Sequence, residues 1–166
     1  MSILMERRSI RRYLGEDIED DVIDRILDAA DAAPCASGKR SWHFVVIRDR
    51  GILDRIPGFH PYSKMILEAP LAILVCADTV VEPREGYWTQ NCSAATENIL
   101  LASTGEGLGS VWLGIYPRMD RIAGMRELLK VPGEVIPFSL VVIGKPDEMK
   151  PPHGGHDPGR VHRDRW

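Results

Sequence analysis

The sequence predicts one domain in which α-helices alternate with β-strands, and three observations lead to that class. The chain has 166 residues, a length that suits one buried core and is short for two independent domains. Two segments, residues 19–33 and 88–102, repeat apolar residues at helical spacing. Two others, residues 71–77 and 135–144, are short apolar runs of the kind found in buried strands.

The first predicted element is a helix over residues 19–33. Its first turn is acidic, which suits the positive end of the helix dipole. Its apolar side chains fall on one face: Val22, Ile23, Ile26, Leu27, Ala30 and Ala33. Pro34 follows this helix, and small and polar residues predict a loop over residues 34–41. Residues 43–48 have a β-branched centre and predict the first strand.

A long central helix dominates the middle of the chain. A short helix precedes the strand at residues 71–77, and a loop over 78–86 follows that strand. The central helix is then indicated by apolar residues at steps of four and three: Trp88, Cys92, Ala95, Ile99 and Ala102. Its many alanines allow a neighbouring element to approach closely.

Three further elements complete the core. The glycine-rich residues 104–110 end the central helix, and residues 110–115 predict a strand. Residues 121–129 predict another helix, and residues 135–144 predict the last core strand. The proline and glycine content after residue 150 predicts an extended carboxyl-terminal arm over residues 151–166.

Composition and charge exclude several classes of function. The 24 acidic and 21 basic side chains leave a net charge of −3, so the whole chain is not predicted to bind nucleic acid or anionic lipid. The longest apolar run, residues 69–77, is too short to cross a membrane, and residues 1–9 lack the apolar core of a secretion signal. Three widely spaced cysteines suggest neither a disulfide framework nor a zinc site. We therefore expect a cytoplasmic protein.

Several familiar motifs are absent or incomplete. The glycines at 105, 107 and 109 precede a strand instead of a helix, so a helix end is favoured over a dinucleotide-binding turn. The Gly38-Lys39 pair lacks the first glycine of a phosphate-binding loop. Cys35 has no histidine nearby in sequence to activate it, and the tail histidines lack the spacing of metal ligands. We predict neither a nucleophilic residue nor a metal site.

The arginines near the amino terminus are the most informative charged group. One interpretation is a solvated helix face or salt bridges to Glu6, Glu16 and Asp17. The other is a phosphate site, because Ser9 places one hydroxyl among guanidinium groups that suit phosphate geometry. The arginines concerned are Arg7, Arg8, Arg11 and Arg12.

Four segments, in this order, resemble the short form of the FMN-dependent nitroreductase family. They are RRSIRRY, APCASGKRSWHF, GLGSVWLGIYP and RVHRDRW, and together they span nearly the whole chain. The resemblance implies an α+β fold, a three-layer α/β/α arrangement with a central mixed, mainly antiparallel sheet flanked by helices. It also implies one domain over residues 1–166, an intertwined homodimer with two FMN molecules at the interface, and an arm, residues 151–166, that wraps the other subunit.

The resemblance also implies roles for three groups of residues. The FMN phosphate and ribityl chain would be held by Arg7, Arg8, Ser9 and Arg11. The flavin would be approached from the partner subunit by Pro34, Cys35, Ala36, Ser37 and Gly38. The ring would be lined by Leu113, Gly114 and Ile115, with the Gly114 backbone at flavin N5. Arg11 and Lys39 are candidates for the positive group that reduced flavin needs at its pyrimidine edge.

The implied activity needs no catalytic side chain. Hydride passes from NADH or NADPH through the flavin to a small-molecule electron acceptor, either a nitroaromatic compound, a quinone or a flavin, in a ping-pong order. Two departures from the family pattern leave an alternative open. Gly38 stands where the family often has asparagine, and Pro152 to Gly155 replace basic residues of the phosphate clamp, for which Lys150 or Arg160 are substitutes. The alternatives are a degenerate flavin-binding or storage protein and a scaffold that binds no flavin.

Overall fold

A five-stranded sheet forms the centre of the structure, a computed structural model that describes residues 3–166. Its four strand pairings are antiparallel: β1 with β5, β4 with β5, β3 with β5, and β2 with β3. A single parallel bridge joins Ser9 to Ser110 and makes the sheet mixed. The strands are β1 (Tyr13–Leu14), β2 (Trp42–Ile47), β3 (Leu71–Asp78), β4 (Gly109–Gly114) and β5 (Val135–Pro146).

The helices α2, α4 and α5 follow the predicted order with small shifts at their ends, whereas α1 was not predicted. They are α1 (Ile3–Glu6), α2 (Asp20–Asp31), α3 (Arg50–Leu53), α4 (Glu85–Gly105) and α5 (Met119–Leu129). Short 3-10 turns cover Ala36–Gly38, Ile56–Gly58, Lys64–Leu67 and Pro158–Arg160. The predicted short helix before β3 is α3 followed by two such turns. The central helix is confirmed as α4, and the predicted strands correspond to β2, β3, β4 and β5.

The alternation of side chains along β3 divides the core into two layers. Leu71, Ile73 and Val75 join the buried cluster formed with α2 and α4. Ala72 and Leu74 join the cluster on the opposite face with α5. Successive residues of a strand point to opposite faces, so the β3 side chains from Leu71 to Ala77 are all buried on one side or the other. The predicted three-layer α/β/α arrangement is confirmed.

The glycine-rich segment ends α4 as predicted. Gly105 is the last helical residue, and Gly107 adopts a left-handed φ of 74°. Such a φ favours glycine, because a Cβ would clash with the backbone. The Leu108 N–H donates to the Ser103 carbonyl at 2.8 Å, which closes the end of the helix. The chain then turns directly into β4.

The two ends of the chain run side by side beyond the sheet. The Asp147 N–H donates to the Arg12 carbonyl at 2.9 Å, and the His153 N–H donates to the Met5 carbonyl at 3.0 Å. Residues 151–166 are all exposed, as expected for an extended arm. Of the helices described, none is both long and apolar enough to span a membrane.

Candidate active site

The basic segment at the amino terminus, residues 7–12, is fixed against the first residues of β4. The Ile10 N–H donates to the Ser110 carbonyl at 3.0 Å, next to the Ser9–Ser110 bridge. Ile10 is 8% exposed and packs directly on Gly109. A Cβ at Gly109 would lie only 2.7 Å from Ile10 Cγ2, so only glycine allows this close approach. The arginines on either side of Ile10 are thereby held at the start of β4.

Lys150 completes this region from the opposite end of the chain. Its Nζ donates to the Ser9 carbonyl at 2.5 Å, and the Arg8 guanidinium donates to the Pro151 carbonyl. Arg8 and Lys150 both line a cavity of about 190 Å³ whose floor includes Gly109. The sequence interpretation offered Lys150 or Arg160 as the added cation. Of these two, Lys150 lines the cavity. Arg160 lies on the exposed arm, where its Nε is 3.4 Å from the Asp157 carboxylate.

Two carboxylate residues, Glu6 and Glu148, also line this cavity. Glu148 accepts a hydrogen bond from the Arg11 N–H at 2.5 Å, and its carboxylate lies 3.1 Å from Lys150 Nζ. The Arg11 N–H, with further help from Lys150, holds the pKa of Glu148 below its usual range. Glu148 is therefore ionised at neutral pH and ties Lys150 to the backbone of the basic segment.

The remaining arginines point elsewhere. Arg7 Nε lies 3.6 Å from Glu97 on α4, and Arg12 lies 3.4 Å from Asp147. The salt-bridge interpretation therefore named the wrong acids for these two side chains. Of its candidates, Glu16 pairs with Lys145 at 2.8 Å and Asp17 pairs with Arg48 at 2.7 Å.

The loop over residues 34–41 is held by a side chain that the sequence did not indicate. Asn91 of α4 is 2% exposed, and its Oδ1 accepts the Ala36 N–H at 2.9 Å. Its Nδ2 donates to Ser41 Oγ at 3.0 Å, so one amide ties both ends of the loop. Between these ties Ser37 and Gly38 adopt left-handed φ angles of 56° and 68° and are exposed. The sequence feature that could have indicated this role is a polar asparagine among the apolar positions of an alanine-rich helix.

Lys39 follows this turn and is paired with a buried acid. Its Nζ lies 3.7 Å from Glu82, whose side chain is fully buried. Arg84 binds the same carboxylate through Nε and Nη2, at 2.7 and 2.8 Å. These hydrogen bonds lower the pKa of Glu82 to about 2. Lys39 therefore belongs to an ion-pair cluster beside the loop.

Gly114 lies at the far end of β4 and is open to solvent. Its neighbours Leu113 and Ile115 are buried, whereas a Cβ at Gly114 would meet no atom within 4 Å. The Gly114 carbonyl accepts hydrogen bonds from His60 Nε2 at 3.1 Å and from Arg121 Nη1 at 2.6 Å. Neither side chain was indicated by the sequence, because each is a single polar residue outside any motif.

The basic cavity and Gly114 lie at opposite ends of the same strand. Four residues separate Ser110 from Gly114, which is about 13 Å at the rise of a β-strand. The lining of the cavity includes neither residues 34–39 nor residues 113–115. The features are those of an α+β domain with a basic cavity at the start of one core strand and an open glycine at its end.

Comparison with known proteins gives the family. The chain matches the Nitroreductase family over residues 4–60 and 59–145. It is 45% identical to a Methanothermobacter thermautotrophicus protein named "Putative NADH dehydrogenase/NAD(P)H nitroreductase", over 100% of this chain and 87% of the relative. The chain therefore belongs to the nitroreductase family, as its motifs predicted.

Solved structures agree with this assignment. An FMN-dependent nitroreductase from Clostridium difficile superposes with a TM-score of 0.92 and 32% identity, covering 99% of this chain and 98% of the other. A nitroreductase-like structure from Desulfovibrio desulfuricans, solved in complex with FMN, gives a TM-score of 0.84 and 27% identity, covering 99% and 95%. The predicted nitroreductase-like fold is confirmed.

Proposed function

We propose that this chain is an FMN-dependent oxidoreductase that passes hydride from NADH or NADPH to a small-molecule acceptor by a ping-pong mechanism. Membership of the nitroreductase family places it among NAD(P)H-dependent flavin oxidoreductases. One observation carries the site assignment. Arg8 and Lys150, from opposite ends of the chain, line one cavity at the start of β4, the strand that ends at the open Gly114.

The donors at the start of β4 fit a phosphate. Two cations, Arg8 and Lys150, line the cavity together with the carboxylates of Glu6 and Glu148. Ser9 follows Arg8 in the chain, and its carbonyl accepts a hydrogen bond from Lys150. Hydrogen bonds between cations and phosphate are about twice as strong as neutral ones. The carboxylate of Glu148 is already bound to Lys150 and to the Arg11 N–H, which reduces its repulsion of an anion. We assign Arg8, Ser9 and Lys150 as phosphate ligands, with Arg7 and Arg11 flanking them.

The far end of β4 fits a flat ring. The absence of a side chain at Gly114 lets a planar group lie against the backbone, and Leu113 and Ile115 supply an apolar border. The separation of about 13 Å along the strand suits a cofactor whose phosphate and ring are joined by an extended chain. When bound, FMN supplies the hydride-accepting centre, and we place it at the Gly114 backbone.

The polypeptide binds and orients without acid–base catalysis in this assignment. Cys76 and Cys92 are buried, and burial raises the pKa of each thiol to about 12, so neither serves as a nucleophile near neutral pH. The acceptor would occupy the space vacated by the nicotinamide, which produces the ping-pong order. We propose nitroaromatic compounds, quinones or flavins as acceptors.

We further propose that the site is completed in a homodimer. The exposed turn of Ser37 and Gly38 presents small residues outward, where a second subunit could carry its flavin. The arm over residues 151–166 is exposed along its whole length and ends in Trp166, whose side chain is fully exposed. Burying such an arm requires another surface, and a second copy provides one. Sedimentation of a flavin-loaded monomer would contradict this assembly.

The decisive experiment is one absorbance titration with four proteins. The purified chain should be yellow, release FMN on denaturation, and lose its flavin absorbance with anaerobic NADH or NADPH. Arg8→Ala and Ser9→Ala should each weaken FMN binding by about 10- to 150-fold, because a charge-assisted hydrogen bond contributes about 1.5–3 kcal/mol. Arg12→Ala is the matched control, since that side chain pairs outward with Asp147.

The outcomes separate the alternatives. Wild-type FMN affinity in both Arg8→Ala and Ser9→Ala would reject the phosphate assignment. A yellow protein that neither nicotinamide bleaches would be a flavin-binding or storage protein. A colourless protein that binds no added FMN would be a scaffold and would reject the proposal.

A further inference from the structure

The Gly114 carbonyl receives two side-chain hydrogen bonds from two separate parts of the fold. His60 follows the 3-10 turn Ile56–Gly58, and its Nε2 lies 3.1 Å from the oxygen. Arg121 belongs to α5, and its Nη1 lies 2.6 Å from the same oxygen. A carbonyl oxygen has two lone pairs, so both acceptor positions are used.

This pair of hydrogen bonds, from His60 and Arg121 to the Gly114 carbonyl, forms a clamp at a position where the backbone needs restraint. The regular ladder of β4 and β5 ends at Gly114, and the next two N–H groups, of Ile115 and Tyr116, both donate to the Phe138 carbonyl. Glycine has more backbone freedom than any other residue, and Gly114 has no side chain to restrain it. The two donors on the Gly114 carbonyl, together with the bond from the Ile115 N–H to Phe138, set the orientation of the peptide plane between Gly114 and Ile115.

We infer that His60 and Arg121 are positioning residues that hold the Gly114 backbone in the orientation the flavin requires. The inference rests on the proposed function, because it assumes that the cofactor ring lies against Gly114. Neither side chain is assigned to contact the substrate. Both act through the glycine.

His60 is built to donate through a single ring nitrogen. It is 1% exposed, and among the described residues its Nδ1 is buried without a hydrogen-bond partner. Because Nε2 faces a carbonyl, the proton lies on Nε2 and the ring is neutral. Burial lowers the pKa of His60, which keeps this neutral form at physiological pH. The backbone of His60 is held because Ser63 donates to the His60 carbonyl through both its N–H, at 3.1 Å, and its hydroxyl, at 2.7 Å.

Arg121 adds a fixed positive charge to the same oxygen. Its guanidinium lies 5.6 Å from the centre of the Tyr62 ring, and its Nε is buried. The candidates that the sequence offered for a cation at the flavin ring were Arg11 and Lys39. Arg11 lies beside Glu148 at the other end of β4, and Lys39 is paired with Glu82. Arg121 is the cation that contacts Gly114.

The test compares flavin-loaded variants that remove or keep the donor. His60→Leu and Arg121→Met remove it, whereas His60→Gln keeps an amide N–H that can reach the carbonyl. Arg118→Met is the control, because Arg118 is exposed and lies 3.7 Å from Asp120. Three quantities are measured: FMN affinity, the rate of anaerobic flavin reduction in stopped flow, and the ¹⁵N shift of N5 in labelled FMN.

We expect His60→Leu and Arg121→Met to slow reduction by about tenfold or more, as misorientation at a reacting centre does. The N5 shift should move in both, while FMN affinity stays within about threefold, because the phosphate contacts are intact. His60→Gln should restore most of the rate and the shift, which a purely structural role for the ring would not predict.

The results that overturn the inference are specific to it. If the wild-type protein binds FMN and is reduced, unchanged reduction rates and N5 shifts in His60→Leu and Arg121→Met would reject the clamp. The proposed function would still stand. A wild-type protein without bound FMN would reject the proposed function itself. If His60→Leu does not fold, Arg121→Met and His60→Gln still decide the question.

Discussion

Replacing Gly109 with alanine should damage the cofactor site through packing alone. The added Cβ would lie 2.7 Å from Ile10 Cγ2, 2.9 Å from Ile10 Cβ and 3.1 Å from Ile10 Cγ1. Ordinary carbon–carbon contacts are about 3.5–4.0 Å, so Ile10 must retreat by about 1 Å. Because Cβ is among the clashing atoms, rotating the side chain cannot relieve the contact. The backbone between Ser9 and Arg11 has to move.

The displacement should lower both the free energy of unfolding and the affinity for FMN. Overpacking of a buried contact costs about 1–3 kcal/mol, which we expect as a loss in the free energy of unfolding. If the shift also breaks one charge-assisted bond to the phosphate, FMN binding weakens by about 1.5–3 kcal/mol, or about 10- to 150-fold. The two effects arise from the same movement and should appear together.

Urea unfolding and FMN fluorescence titration measure these two quantities. Gly133→Ala is the matched control, because a Cβ there meets nothing within 4 Å and the residue has no left-handed φ. Wild-type FMN affinity in a destabilised Gly109→Ala protein would show that the basic segment does not position the phosphate. Wild-type stability would show that the contact between Ile10 and Gly109 is not tight.

Two further predictions concern the loop and the thiols. Asn91→Leu leaves the Ala36 N–H and Ser41 Oγ without their partner, so it should cost about 1–3 kcal/mol for each group left buried. Trypsin should then cleave faster at Lys39 and Arg40, and an unchanged rate, equal to that of Gln90→Leu, would refute the tie. At pH 8 the disulfide reagent DTNB should modify only Cys35 in the native protein, since burial raises the thiol pKa of Cys76 and Cys92 to about 12. Bound FMN should slow that reaction, and an equal rate with and without FMN would place Cys35 away from the flavin.

The secondary structure was predictable where a pattern extends over several residues. The helix predicted over 19–33 is α2, and the predicted central helix is α4, because burial on one face imposes helical spacing. The two-residue strand β1 was not predicted, since two residues carry no periodicity. The short helix predicted before β3 is divided between α3 and two 3-10 turns, a division that such short segments do not reveal in the sequence.

The candidate site was predictable only as isolated segments. Arg8 and Ser9 were indicated by local composition, and Gly114 by resemblance to the family. Lys150 was offered only as one of two substitutes in the family pattern, and Asn91 was not named; they lie 141 residues from Ser9 and 55 residues from Ala36. One sequence does not show which distant segment a single polar residue contacts, and only the folded sheet brings each pair together.

This arrangement couples cofactor binding to completion of the fold. Lys150 follows β5, the strand that pairs with β1, β3 and β4, so its contact with Ser9 depends on the folded sheet. The segment from Arg8 to Arg11 is likewise placed by its bond to β4. An unfolded chain does not bring the two parts of the proposed phosphate site together, so the proposal predicts that FMN binds only the native state. A ligand with that preference stabilises the fold by about 2.7 kcal/mol at one hundred times its dissociation constant. In the proposed site the cofactor would therefore link the two ends of the chain as well as supply the chemistry.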